Sequence, residues 1–249
     1  MDRPRLLVTR PQPDADRTAG HLRALEIEPI IAPLLRAEPR EGTIPDLSAF
    51  GALAITSANA ARFLARELDG LDGAAPWQLP VFTVGDHSAH EARQAGFTNV
   101  ISAQGTLNDL AHLIETNRPD GTVFYPAAHH QSGDLAGLLA RSGISTRTEV
   151  LYEMVAAEAL APEVAETLIR GEVAGILFYS RRTAQIFAEL CKGDDFDPVR
   201  RQVECLCVSE SCAQPLIDNH FLRISLADDP DHGAMMSLAL AFAREQISP

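Results

Sequence analysis

The chain alternates short apolar runs with longer stretches in which apolar residues recur every three or four positions. "RLLVTR" precedes "DADRTAGHLRALE", "ALAITS" precedes "ANAARFLAREL", and "PVFTVG" precedes "DHSAHEARQAG". Later, "TVFYPA" leads to "SGDLAGLLARSG", "GILFYS" to "RRTAQIFAEL", and "ECLCVS" to "ESCAQPLIDN". The compact apolar runs predict buried strands, and the helical period predicts the segments between them. Strands alternating with helices through short turns predict an α/β fold with parallel, flavodoxin- or Rossmann-like sheets. The polar and small residues closing each strand then fall at the carboxyl edge, where open sheets bind ligands.

The pattern also repeats. "LAITSANAARFLAREL" is answered by "ILFYSRRTAQIFAEL", which pairs Ser57 with Ser180. "FTVGDHSAHEARQAGF" is answered by "CLCVSESCAQPLIDNHF", pairing Ser88 with Cys212. The opening "LLVTRPQPDADRTAGHLRALEIEPIIAP" resembles "VFYPAAHHQSGDLAGLLARSGISTRTEVLYE", with Leu22 matched to Leu138. Three blocks in one order predict a duplicated unit. The segments "IEPIIAPLLRAEP" and "ISTRTEVLYEMVAA" follow equivalent strand–helix pairs and are rich in β-forming residues. They predict a two-stranded connector, residues 27–37 with 149–156, between interleaved α/β domains of residues 1–35 plus 156–249 and 36–148. Two sequential domains, about 1–120 and 121–249, are the alternative.

Composition narrows the function. A formal charge of −13 and 6% aromatic residues argue against a general nucleic-acid binder, yet local arginines still suit an acidic small molecule. There is no G-x-G-x-x-G turn and no Walker A sequence, so a dinucleotide or ATP enzyme lacks its signature. The apolar run near the amino terminus and "AMMSLALAFAREQ" are too short for a signal segment or a membrane span, and a cytoplasmic location is expected. Cys191, Cys205, Cys207 and Cys212 lack paired C-x2-C spacing, while small-residue packing or a helix start explains them equally well. His87 and His90 have no third ligand in the pattern, so no metal is assigned; His129 and His130 suit a solvated or anion-contacting loop.

Taken in order, "LLVTRP", "PLL", "ITSANAA", "VFTVGDHSAHEARQAGF", "VLYE", "FYSRRTAQIF" and "CVSESCAQPL" resemble the uroporphyrinogen-III synthase family across nearly the whole chain. The resemblance implies two α/β domains joined by a two-stranded ladder, with the active cleft between them. It implies conversion of the linear tetrapyrrole hydroxymethylbilane, which carries eight carboxylates, into uroporphyrinogen III. Water is lost, ring D is inverted through a spirocyclic intermediate, and the macrocycle closes with no cofactor and no metal. A monomer is expected, with transient contact to hydroxymethylbilane synthase as a partner and none with nucleic acid or membrane.

The same resemblance places site residues. Tyr152 in "VLYE" matches the family's tyrosine that assists hydroxyl departure; packing in a strand is its plain alternative. Gly85 and Ser88 match a strand-to-helix turn suited to a carboxylate, Gly85 by allowing close backbone approach and Ser88 by its hydroxyl. Thr56, Ser57 and Asn59 lie in a loop the family sets at the cleft, although Ser and Asn cap helices in any case. Ser180 holds the equivalent turn of the other domain. Arg181 and Arg182 stand where Pro-Ser is usual, and arginine forks suit carboxylates. Arg10 and Ser211 complete the expected binding set. Ser209 and Glu210 replace the usual glycine and proline, and Glu210 would repel a carboxylate if it pointed inward. A non-catalytic two-lobed binder of a tetrapyrrole or other polycarboxylate is the competing function.

Overall fold

A computed structural model describes residues 3–40, 44–69, 76–131 and 133–247. The chain opens with Arg5–Val8 (β1), Asp14–Ala24 (α1), Glu28–Ile31 (β2) and Leu35–Pro39 (β3). Ala52–Ile55 (β4), Ala58–Leu68 (α2), Val81–Thr83 (β5), Asp86–Gln94 (α3) and Val100–Ser102 (β6) follow. Next come Leu107–Asn117 (α4), Val123–Ala128 (β7), Leu135–Arg141 (α5) and the long strand Thr146–Ala156 (β8). Pro162–Ile169 (α6), Gly175–Phe178 (β9), Arg181–Leu190 (α7) and Asp197–Gln202 (α8) continue it. Glu204–Cys207 (β10), Glu210–Asp218 (α9), Ile224–Leu226 (β11) and His232–Ile247 (α10) complete the set.

The elements form two compact units. Unit 1 comprises residues 1–36 and 155–249, and unit 2 residues 37–154. The sheet of unit 1 has the order β11-β10-β9-β1-β2, with every pair parallel. The second sheet has the order β3-β8-β7-β4-β5-β6. Its pairs from β8 to β6 are parallel. Strand β3 runs antiparallel to β8: the Arg40 N–H donates to the Leu151 carbonyl at 2.9 Å, and the Ala157 N–H to the Leu34 carbonyl at 3.0 Å. The extended segment 27–37 is divided, because Pro33 offers no N–H to a ladder. Its first part, β2, pairs with β1; its second part becomes β3.

The duplication is visible in strand order. β2-β1-β9-β10-β11 in one unit corresponds to β8-β7-β4-β5-β6 in the other, with α1, α7 and α9 answering α5, α2 and α3. The fold is therefore two α/β units with mostly parallel sheets, joined by connecting strands. Each central strand is buried end to end, as in "ALAI" of β4 and "GILF" of β9, because helices cover both faces. Phe178 and Phe187 anchor one face of the unit 1 sheet, and Phe124 and Phe97 one face of the unit 2 sheet. In both units the strand order reverses at one place, between β1 and β9 and between β7 and β4, which is where sheets of this kind open a crevice at their carboxyl ends.

Candidate functional site

In unit 2, β4 leads into Thr56 and Ser57 at that reversal point. Ser57 is extended, with φ −152° and ψ 153°, and its Oγ accepts the Ala60 N–H at 3.1 Å, capping α2. Strand β8 places Tyr152 across β7 from this turn, and the Tyr152 hydroxyl lies 2.5 Å from Ser57 Oγ. Beside it, the Tyr125 hydroxyl on β7 lies 3.1 Å from Thr56 Oγ1. Both phenols belong to residues only 3% exposed, and the Tyr152 ring stacks on Phe63 with centroids 5.0 Å apart. Burial pushes both phenol pKa values up, and the neighbouring hydroxyls only partly offset it, so each phenol keeps its proton through the neutral range.

The same turn holds Asn59, whose Nδ2 donates to Met154 Sδ at 3.5 Å and whose Oδ1 accepts from Arg62 at 3.0 Å. Arg62 Nε also pairs with Glu91 at 2.9 Å, tying α2 to α3. Gly85 precedes α3 with φ −152°, and a Cβ added there would meet nothing within 4 Å, so packing within the chain does not require glycine. Ser88 lies in the first turn of α3 with its side chain turned inward, 5% exposed.

Unit 1 builds a different cluster at its reversal point. Arg10 follows β1, and its guanidinium lies 4.2 Å from the centroid of the Tyr179 ring, which follows β9. Arg10 also pairs with Asp14 at 3.3 Å and donates to Thr18 at 3.4 Å. The Tyr179 hydroxyl meets His232 Nδ1 at 2.8 Å, and His232 Nε2 meets His21 Nδ1 at 2.7 Å. Burial drives the Tyr179 phenol up to about 12, against the pull of Arg10. Burial, with Arg10 adding to it, drives His232 down to about 4.

Ser180 caps α7, accepting the Thr183 N–H at 3.2 Å and sharing a 2.7 Å hydrogen bond with the Thr183 hydroxyl. Arg181 and Arg182 open α7 and are exposed; Arg182 borders a cavity of about 310 Å³ with Gln185 and Ile186. Ser209 caps α9 through the Cys212 N–H, and Glu210 and Ser211 are exposed in its first turn. Cys212 is buried, its thiol donating to the Phe178 carbonyl at 3.4 Å. A cavity of about 890 Å³ opens at the opposite, amino edge of this sheet, where Arg5 is paired with Glu172 and Arg223 with Glu204.

The structure thus brings Thr56, Ser57, Asn59 and Tyr152 to one turn, where Ser57 bonds Tyr152, Thr56 bonds Tyr125 and Asn59 bonds Met154. It sets Gly85 and Ser88 on the next turn of the same sheet edge. Arg10, Ser180, Arg181 and Arg182 flank neighbouring strands β1 and β9 of unit 1, and Ser211 lies on the adjoining turn. Tyr125, Arg62, Glu91, Tyr179, His21 and His232 escaped the sequence reading. The aromatic residue in "VFYPA" and the one beside the serine of "FYS" were their only local signals. Among the described residues no three or more His, Cys, Asp or Glu side chains are grouped to hold a metal ion, and no helix is long and apolar enough to cross a membrane.

Twin α/β units of flavodoxin-type strand order, with hydroxyl-rich turns at their carboxyl edges, define the class of protein. Residues 16–237 match the sequence model of uroporphyrinogen-III synthase HemD, and the chain belongs to that family. The solved structure of uroporphyrinogen-III synthetase from Helicobacter pylori is similar, at 17% identity and a TM-score of 0.65, over 96% of this chain and 99% of that one. A mutant uroporphyrinogen III synthase from the extremely thermophilic bacterium Thermus thermophilus is similar at 18% identity and a TM-score of 0.57, over 98% and 99% of the two chains. Comparison with curated proteins gives no match.

Proposed function

We propose that the protein converts hydroxymethylbilane into uroporphyrinogen III as a cofactor-independent cyclising hydro-lyase of the cytoplasm. The observation that carries this reading beyond family membership is the Ser57–Tyr152 hydroxyl pair, set at the strand-order reversal of unit 2. The ring-A hydroxymethyl group loses its hydroxyl, which takes one proton and departs as water. Ring D attacks the resulting azafulvene through its substituted position, and the spirocyclic product fragments and recloses in the inverted sense. The ring-D carbon that forms the last bond releases one proton, so the protons balance. Neutral donors at the departing oxygen serve the first step, and both phenols of this edge are held protonated.

Orientation is the larger task, because the unassisted chain closes without inversion. Eight carboxylates give the protein its handles. Arg181 and Arg182, exposed at the start of α7, are the most accessible cations of the proposed set, and the positive end of that helix adds to them. Arg10, held by Asp14 and Thr18 with 18% of its side chain exposed, serves as a fixed charge. Gly85 leaves room for close approach, and Ser211 and Thr56 offer hydroxyls. The substrate reaches a monomeric enzyme through transient contact with hydroxymethylbilane synthase. Supplying freshly made hydroxymethylbilane and identifying the product isomer tests the reading. Uroporphyrinogen III is expected; uroporphyrinogen I alone refutes the assignment and favours a non-catalytic binder.

A further inference from the structure

The hydrogen-bond capacity of Ser57 fixes which hydroxyl at this edge meets a ligand. A serine Oγ carries one hydrogen and accepts at two lone pairs. One acceptor position is filled by the Ala60 N–H, 3.1 Å away, whose direction is set by helix α2. The Tyr152 hydroxyl lies 2.5 Å from the same oxygen, and either oxygen can donate. Of the two hydroxyls the phenol is the stronger acid, so Tyr152 donates and Ser57 accepts. With both lone pairs occupied, the Ser57 hydrogen is left to point away from both donors.

Exposure separates the two residues in the same sense. Tyr152 is 3% exposed and held flat against Phe63, whereas Ser57 is only half-buried at the end of β4. Thr56, also half-buried, stands in front of the buried Tyr125 in the same way. We infer that Ser57 is the group that touches the ligand, donating a hydrogen bond to its departing hydroxyl, and that Tyr152 is a positioning residue acting through Ser57. The inference rests on the reaction proposed above and assigns its donor. Burial, which keeps the Tyr152 proton in place, preserves the donor direction throughout the neutral range.

A double-mutant cycle on the full-length enzyme tests it, with steady-state rates of uroporphyrinogen III formation as the readout. Ser57→Gly removes the hydroxyl yet keeps a residue suited to the helix cap. It is expected to lower kcat about a hundredfold with little change in KM, as loss of one preorganised donor does. Tyr152→Phe should lower kcat about tenfold, and the double variant should stay within about threefold of Ser57→Gly, since Tyr152 has nothing left to act through. Ser57→Thr should restore most of the rate, and thermal melts confirm that each variant is folded. Multiplying losses in the double variant, near a thousandfold, would mean that both hydroxyls touch the ligand, and would overturn the inference alone. So would a Tyr152→Phe loss larger than that of Ser57→Gly. A wild-type enzyme yielding only uroporphyrinogen I overturns the reaction and the donor assignment together.

Discussion

The Arg62–Glu91 pair offers a direct measure of what holds the two carboxyl-edge turns of unit 2 together. Arg62 on α2 bonds Glu91 on α3 at 2.9 Å, with 19% and 10% of their side chains exposed. Removing one member of an enclosed ion pair strands the other charge, which costs about 3–5 kcal/mol when both are fully buried. Partial exposure places Arg62→Met near the lower end, about 3 kcal/mol. With a urea slope of about 1.5 kcal/mol per molar, the midpoint should fall by about 2 M. The assay is built into the chain: its single tryptophan, Trp77, packs on Phe97 inside unit 2, so its fluorescence reports that unit's unfolding. The double variant Arg62→Met with Glu91→Met removes both charges and should recover to within about 1 kcal/mol of the wild type. A midpoint shift below about 0.5 M in the single variant refutes the assigned strength. A double variant as weak as the single one shows that lost packing of the arginine stem, not the stranded carboxylate, is the cause.

Two further outcomes follow from unit 1. His232 has its folded pKa lowered from 6.5 to about 4 by burial and by Arg10, with His21 and Arg17 adding to the depression and Asp14 opposing it. The folded state therefore holds the neutral ring. The stability it contributes is complete above pH 6.5 and is lost as pH falls from there toward 4. The difference in thermal midpoint between wild type and His232→Gln should shrink over that window, and a difference constant with pH refutes the linkage. Cys191, Cys205, Cys207 and Cys212 are at most 1% exposed, and burial raises the thiol pKa of Cys191 to about 12 and that of Cys205 well above its usual value. A chromogenic disulfide reagent should find no fast thiol in the native protein and four after guanidinium unfolding; a fast-reacting thiol before unfolding contradicts this.

Strand and helix order was legible because each signal is local. "ALAITS" and "GILFYS" are compact apolar runs, and the serines that close them cap α2 and α7. The duplicated sequence blocks correspond to matching strand orders, since each block carries a complete strand–turn–helix unit. The segment 27–37 was less legible. Apolar composition there suits one long strand, but Pro33 interrupts the ladder and the two parts pair with different partners.

The polar groups of the two turns were the least legible, because their partners come from distant sequence. Tyr125 and Tyr152 reach Thr56 and Ser57 from 69 and 95 residues away, and only the sheet order β8-β7-β4 brings them together. The duplicated turns consequently differ in chemistry despite their similar sequence. In unit 1 the position matching Thr56 is Tyr179, whose own ring fills the space beside Arg10 and whose hydroxyl is taken up by His232. In unit 2 the same position is a small threonine, and the phenols stand behind the turn, on the strands, with the smaller hydroxyls in front. Duplication supplied two equivalent edges; the placement of three tyrosines decides that one edge presents hydroxyl donors and the other a braced guanidinium.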